Sequence, residues 1–231
     1  MDDQELIRKV ELKRRILREN DEAANRLRLR FAISGTLVVN LISSPGSGKT
    51  ALLEATARAL TGRVRLAAVV GDVATELDAD RLKAAGLPAK QISTGGSCHL
   101  DARLVAEAIE SNAIPACDVL FIENVGNLIC PTSFDLGEDA KVALLSVTEG
   151  PDKPVKYPGI FSKAGIIVVT KTDLLPFVDF DMDLVRDRIR TLNPTARIFY
   201  TSSKQGAIGP WCDHLVELLE AKRRTPAASV I

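Results

Sequence analysis

Lys49 and Thr50 close the run Leu37-Val38-Val39-Asn40-Leu41-Ile42-Ser43-Ser44-Pro45-Gly46-Ser47-Gly48-Lys49-Thr50, and the helix-forming Ala51-Leu52-Leu53-Glu54 follows. A β-branched apolar stretch, a small-residue loop and a helix start form the order that a triphosphate requires. The residues Pro45, Gly46, Ser47, Gly48, Lys49, Thr50 and Ala51 let backbone N–H groups curl round phosphates at the positive end of a helix dipole. Lys49 supplies a point charge for the β- and γ-phosphates, and Thr50 a hydroxyl for Mg²⁺. Ser43 stands where the usual G-x-x-x-x-G-K-[ST] pattern has its first glycine, and serine is small enough to turn there.

The base is addressed by a second motif. Ile166-Ile167-Val168-Val169 delivers Thr170-Lys171-Thr172-Asp173 at the end of a buried strand. The Asp173 carboxylate can accept two hydrogen bonds, from guanine N1–H and the 2-amino group, while the Lys171 stem covers the base plane. Adenine offers no such donor pair. The element looks like the [NT]-K-x-D motif of GTPases in a threonine form, and Ser202-Ser203-Lys204 resembles the S-A-K loop that backs the ring. Ser203 and Lys204 are therefore taken with Lys171 and Asp173 as base-binding residues, and the nucleotide as GTP rather than ATP.

Two further strand ends carry carboxylates. Asp118-Val119-Leu120-Phe121-Ile122-Glu123-Asn124-Val125-Gly126 places Glu123-x-x-Gly126 where GTPases usually carry Asp-x-x-Gly. Glu123 is expected near Mg²⁺, acting through a bound water because it is longer, and the Gly126 N–H on the γ-phosphate. In Gly71-Asp72-Val73, Asp72 is placed to position the attacking water or to join the metal's shell, or else to cap the next helix. Lys49, Asp72 and Gly126 are the catalytic candidates, and Thr50, Asp72 and Glu123 the Mg²⁺ candidates. Asp78 and Asp80 read as helix-start carboxylates.

A different metal chemistry is suggested by Cys98-His99 and by Cys130, in Asn127-Leu128-Ile129-Cys130-Pro131. Both segments leave strands at one sheet edge, so two thiols and an imidazole can converge as ligands for Ni²⁺ or Zn²⁺. Three ligands leave the ion one short, to be completed by water or a second copy of the chain. Unrelated loop residues are the plainer alternative on spacing alone. Cys117, Cys212 and His214 read as structural.

These motifs need a scaffold that brings strand ends together. The 231 residues suit one α/β domain with a large core. Thirty Lys+Arg balance thirty Asp+Glu, and aromatics are only 4%, which speaks against a nucleic-acid surface. No apolar run reaches membrane-span length, and the acidic Met1–Glu5 start is unlike a secretory signal, so a cytoplasmic protein with free thiols is expected. Strands are expected over Leu37–Ile42, Leu66–Val70, Lys90–Ile92, Val119–Ile122, Val142–Ser146, Ile166–Thr170 and Ile198–Tyr200. Helices are expected over Ala51–Leu60, Asp80–Ala85, Ala102–Ser111, Leu184–Leu192 and Trp211–Ala221. Several of these strands are apolar at nearly every position, and their alternation with helices points to an α/β fold: a P-loop NTPase with a mostly parallel sheet and helices on both faces. Residues 1–35 read as a charged helix or arm with Leu6, Val10 and Leu17 at helical spacing and a solvated arginine face (Arg14, Arg15, Arg18, Arg26, Arg28, Arg30). Residues 36–222 form the GTPase domain and 223–231 a C-terminal tail.

The segments Ser43–Thr50, Gly71–Val73, Thr94–Ala102, Glu123–Pro131 and Lys153–Pro158 resemble HypB, a GTPase family of the SIMIBI class that helps insert nickel into [NiFe]-hydrogenase. The likeness runs from about Thr36 to Glu220. It implies that Cys98, His99 and Cys130 bind Ni²⁺ or Zn²⁺ at a GTP-dependent homodimer, and that slow hydrolysis is coupled to metal transfer. It also implies partners in a maturation co-chaperone and the hydrogenase large subunit. The first 35 residues contain neither Cys nor His, unlike the nickel-storing arms of many relatives, so no storage role is implied. Thr170 in place of the commoner Asn is expected to weaken nucleotide affinity without changing specificity. A urease-type maturation GTPase would carry Cys-Pro-His where Cys98-His99 is contiguous. A regulatory GTPase acting on a protein effector would leave the thiols incidental. The Lys153–Pro158 segment reads equally as a nucleotide contact across a dimer or a proline-stiffened loop.

Overall fold

The strands Leu37–Ile42, Val119–Glu123 and Ile166–Thr170 are apolar at all but one position and buried throughout, so both sheet faces have to be covered. The computed structural model describes residues 3–72, 77–111 and 114–225. Val73 and tail residues 226–231 lie outside the described residues. The order is α1 (Asp3–Ser34), β1 (Leu37–Ile42), α2 (Lys49–Leu60), β2 (Leu66–Asp72), α3 (Leu77–Ala84), β3 (Ala89–Ser93), α4 (Ala102–Glu110), β4 (Val119–Glu123), β5 (Ala140–Ser146), α5 (Lys153–Lys156), α6 (Pro158–Lys163), β6 (Ile166–Thr170), α7 (Met182–Leu192), β7 (Arg197–Tyr200) and α8 (Gly209–Arg224). The strands form one parallel sheet in the order β3-β2-β4-β1-β5-β6-β7. Registers such as Leu41 opposite Glu123 and Ser146 opposite Thr170 align the carboxyl ends of the strands that carry the motifs.

Alternate residues of a strand face opposite ways. Val39, Leu41, Val70 and Phe121 pack with Leu52, Leu53, Leu82, Trp211 and Leu215 of α2, α3 and α8. Val38, Val69, Leu120 and Ile122 pack on the other face with α1 and α4. Farther along that face, Ala143, Leu145, Ile167 and Val169 meet Ile160, Phe161, Val185 and Ile189 of α6 and α7.

Two sequence expectations need correction. The first helix is not all solvated arm: Ala23, Ala24, Leu27 and Phe31 are buried in the core over β1, β2 and β4. Arg28, read as part of a solvated arginine face, donates from Nη2 to both carboxylate oxygens of Asp135, at 2.7 and 2.6 Å. Asn20 donates to the Asp135 carbonyl at 2.8 Å and accepts the Ala102 N–H at 2.9 Å. The arm's second half is thereby bound into the domain, while Leu6, Ile7, Val10, Leu12 and Ile16 in its first half stay exposed. The second correction is Lys153–Pro158, which is helical rather than loop, with Pro154 and Pro158 in the first turns of α5 and α6, where a missing N–H costs nothing. The terminal helix likewise runs through Arg224. Among the described residues, no helix is long and apolar enough to cross a membrane.

The amino edge of the sheet is tied by Asp118, which accepts from Arg65 N–H, Nε and Nη2 at 2.8, 3.2 and 2.8 Å, and from Arg223 at 2.7 Å. The Arg65 guanidinium, and secondarily its backbone N–H, holds the carboxyl down at about 2. A depressed carboxylate contributes stability that is complete above its unfolded value near 4 and is lost as pH falls through the folded value. Asp118→Asn should therefore lower stability at pH 7 by about 1 kcal/mol, less than the shift alone implies because both arginines are half in water. Urea titrations should show this difference vanishing between pH 4 and 2.

Candidate functional site

Gly46 and Gly48 adopt left-handed backbone (φ 72° and 94°), a region that admits glycine at little cost, and they let the chain turn straight from β1 into α2. Lys49 sits 8% exposed with its Nζ 3.0 Å from Ser43 Oγ. Ser43 thus does more than permit the turn: its hydroxyl holds the lysine, and it donates in turn to the Ser44 carbonyl at 2.8 Å. Burial lowers the Lys49 pKa, opposed first by Glu123 and then by Asp78, Glu149 and Asp72. Thr50 Oγ1 donates to Glu123 Oε1 at 2.8 Å, which brings the two Mg²⁺ candidates together. Glu123 is 3% exposed; burial pushes its carboxyl up to about 7, against the pull of Lys49 and Thr50.

Pro45, Gly46, Lys49, Thr50 and Ala51 meet Asp72, Glu123 and Gly126 around one cavity of about 500 Å³. A Cβ on Gly126 would fall 2.8 Å from Pro45 Cγ and 3.0 Å from its backbone, so the segment after β4 rests directly on the phosphate loop. Ser47 faces away, donating from Oγ to Glu149 at 2.7 Å. Burial works against the Glu149 charge, yet bonds from the Ser146 N–H, Ser44, Ser47 and Lys153 keep its pKa low. Lys153 reaches Ser44 Oγ at 3.0 Å and Glu149 at 3.2 Å, which places it under its own chain's phosphate loop. Sequence reading missed Glu149, because 102 residues separate it from Ser47. It also undervalued Asp78, which lines the cavity, and missed Arg81 beside it, paired with Asp78 at 3.2 Å and Glu54 at 3.1 Å.

An adjoining cavity of about 270 Å³ is lined by Ala51, Lys171, Asp173, Ser203 and Lys204. Lys171 is the one non-glycine with positive φ (59°) among the described residues, and its Nζ donates to the Gly46 carbonyl at 2.7 Å. Strain of this kind persists where surrounding contacts over-determine it. Thr170 Oγ1 donates to the Ser47 carbonyl at 2.6 Å, so the end of β6 pins the phosphate loop twice. Asp173 Oδ1 accepts from Ser202 Oγ at 2.6 Å, and Ser202 Oγ accepts the Gln205 N–H at 3.2 Å. Ser202 orients the carboxylate and was the member of its triplet that sequence reading passed over.

Cys98 Sγ, a His99 ring nitrogen and Cys130 Sγ lie within 4.8 Å of one another, and Cys98 Sγ is 3.7 Å from His99 Nδ1. The His99 ring is held against Phe134 with centroids 3.8 Å apart. Burial lowers the His99 pKa, which keeps a neutral ring nitrogen available as a ligand. The bond with the Cys130 thiol, and then burial, raises the pKa of Cys98. Cys117 and Cys212 take no part: burial raises both to about 11. His214 bonds Arg197 and Glu217 at 2.9 and 3.0 Å, a structural role. Another cavity, about 800 Å³, is lined by Arg28, Lys141 and Arg197 among others and holds none of the motif residues.

A seven-stranded parallel sheet with this loop at its carboxyl edge defines a P-loop nucleotide-binding protein. A family described as CobW/HypB/UreG, nucleotide-binding domain, matches residues 37–200. The hydrogenase maturation factor HypB of Escherichia coli K12 is 48% identical over 199 residues, covering 86% of this chain and 69% of that protein. The crystal structure of HypB from Helicobacter pylori in complex with nickel aligns with a TM-score of 0.84 at 38% identity, over 90% of this chain and 98% of that one. The hydrogenase maturation factor HypB from Archaeoglobus fulgidus aligns with a TM-score of 0.82 at 40% identity, over 88% and 100%. The chain belongs to the CobW/HypB/UreG family, as a HypB hydrogenase maturation factor.

Proposed function

We propose that this protein is a GTP-hydrolysing nickel chaperone for [NiFe]-hydrogenase maturation, in which nucleotide state sets metal binding and release. The observation that carries the reading is the thiol–imidazole cluster on the segments that follow β3 and β4, the two strands paired in parallel with β2, whose last residue is Asp72. A nickel-bound HypB of similar structure supports the ion. In this reading 36–222 is the GTPase domain, 1–35 an arm and 223–231 a tail. Lys49, Asp72 and Gly126 serve hydrolysis, and Lys171, Asp173, Ser203 and Lys204 bind guanine.

Resident Mg²⁺ suits this pocket. Glu123 Oε2 is buried without a hydrogen-bond partner among the described residues, and Thr50 and Asp72 line the same cavity. Thr50, with Glu123 and Asp72, would hold the ion, which neutralises phosphate charge. Lys49 would place a second cation against the phosphates, and the Gly126 N–H, on the segment that rests on Pro45, would meet the γ-oxygen. Slow turnover fits a timer rather than a metabolic enzyme. A GTP-linked homodimer would complete the three-ligand metal set and bring nickel to the co-chaperone and the hydrogenase large subunit. The protein would work in the cytoplasm.

Base choice provides the first test. Asp173→Asn keeps an acceptor for N1–H but turns a donor toward the position of the guanine 2-amino group. GTP affinity should fall at least about a hundredfold, and xanthosine triphosphate, with a carbonyl there, should gain. Fluorescent-nucleotide competition reads both, and an unchanged guanine preference would remove Asp173 from the base site. Metal stoichiometry and molecular mass, with a non-hydrolysable GTP analogue and with GDP, test the coupling. Equal nickel affinity in both states would refute it, since equal affinity shifts nothing.

A further inference from the structure

The loop carrying Cys98 and His99 is fastened to the nucleotide cradle at the next residue, Leu100. Its backbone N–H donates to Asn124 Oδ1 at 3.2 Å, and its side chain is fully buried beneath β2. A Cβ on Gly71 would fall 2.7–2.9 Å from Leu100 Cγ, Cδ1 and Cδ2, so Leu100 lies hard against the strand end that delivers Asp72. Asn124 follows Glu123 and precedes Gly126 by two residues, and it is 1% exposed. Its Oδ1 also accepts the Val125 N–H at 3.0 Å, and its Nδ2 donates to Asn40 Oδ1 at 3.3 Å. Asn40, wholly buried in β1, donates in turn to Glu138 at 3.2 Å. A second tie runs from Asn127 Nδ2 to the Cys98 carbonyl at 3.4 Å, and Asn127 Oδ1 accepts the N–H of Ile129, the residue before Cys130.

We propose that Asn124 is the positioning residue that couples the two sites. It passes the position of the Glu123–Gly126 segment to Leu100, and so sets His99 and Cys98 relative to Cys130. The inference rests on the GTP-dependent metal reading above. Its physical basis is the burial of the Leu100 N–H. If the segment moves and Leu100 does not follow, a buried donor and acceptor lose each other with no water to replace either, which is strongly unfavourable. The metal loop therefore moves with the segment that touches phosphate, and a buried amide network has few alternative arrangements.

The test is nickel affinity of the full chain, by competition with a chromophoric chelator, in Mg²⁺–GDP and in a Mg²⁺-bound non-hydrolysable GTP analogue. Wild type should show affinities differing by about tenfold or more between the states. In Asn124→Ala the ratio should fall to within about twofold of one, whereas a purely structural role would leave it intact. Gly71→Ala, which drives a methyl into Leu100 without touching the amide, should change the ratio as well, and it serves if Asn124→Ala does not fold. A wild-type ratio of one would overturn the metal-coupling reading and this inference together. A wild-type ratio preserved in folded Asn124→Ala, or in Gly71→Ala alone, would overturn this inference and leave the reading standing.

Discussion

Lys49→Met is expected to lower GTP hydrolysis about a thousandfold, measured as steady-state phosphate release. The lysine is the one cation of the phosphate loop itself, and charge placed in a water-poor site acts far more strongly than in bulk. Affinity for GDP should fall less, by about ten- to a hundredfold, because GDP lacks the γ-phosphate on which charge develops. The variant should still fold. Lys49 is 8% exposed and burial already disfavours its charged form, so a flexible apolar chain of similar length suits the space. Losing the cation removes the Lys49 pull on Glu123, so burial raises that carboxyl further and favours its neutral form. The nucleotide-free protein should accordingly melt within a few degrees of wild type. Wild-type turnover in Lys49→Met would dismiss the loop as the catalytic cradle, and collapse of the fold would show Lys49 to be structural.

The sheet was legible because Leu37–Ile42, Val119–Glu123 and Ile166–Thr170 are short, apolar at all but one position and bounded by turn residues, a pattern that two covered faces demand. The motifs were legible because each is a contiguous run at a strand end, and the structure gathers those runs around two adjoining cavities. What stayed hidden depends on contacts between distant segments. Glu149 under Ser47, Ser202 behind Asp173 and Asn124 beneath Leu100 each act through a partner that sequence spacing does not disclose. The inner half of α1 was hidden differently: Ala23, Ala24 and Leu27 bury small or scattered surface among charged neighbours, so the helix looks solvated all round. Lys153–Pro158 misled because prolines in the first turn of a short helix resemble a turn.

Nickel binding should fall at least about a hundredfold in Cys130→Ala, and Cys98→Ala should do the same, since each removes one of three ligands converging within 4.8 Å. The pH dependence distinguishes this cluster from an ion bound elsewhere. Both sulfurs bind as thiolates, and the bond that the Cys98 thiol makes to the Cys130 sulfur, then burial, holds the Cys98 proton more tightly than usual. Burial lowers the His99 pKa, so the imidazole has no proton to shed near neutrality. Affinity should therefore rise with pH between about 6 and 8, approaching a hundredfold per pH unit for two released protons. In Cys130→Ala the slope should fall to about tenfold per unit, because one thiol remains. Competition titrations across that pH range separate the alternatives. A flat profile, or an unchanged slope in Cys130→Ala, would place the ion on carboxylates instead. A regulatory GTPase with incidental thiols would keep its nucleotide cycle in both variants and show no ordered metal at all. The slope thus reports ligand identity directly, independently of how tightly the ion is held.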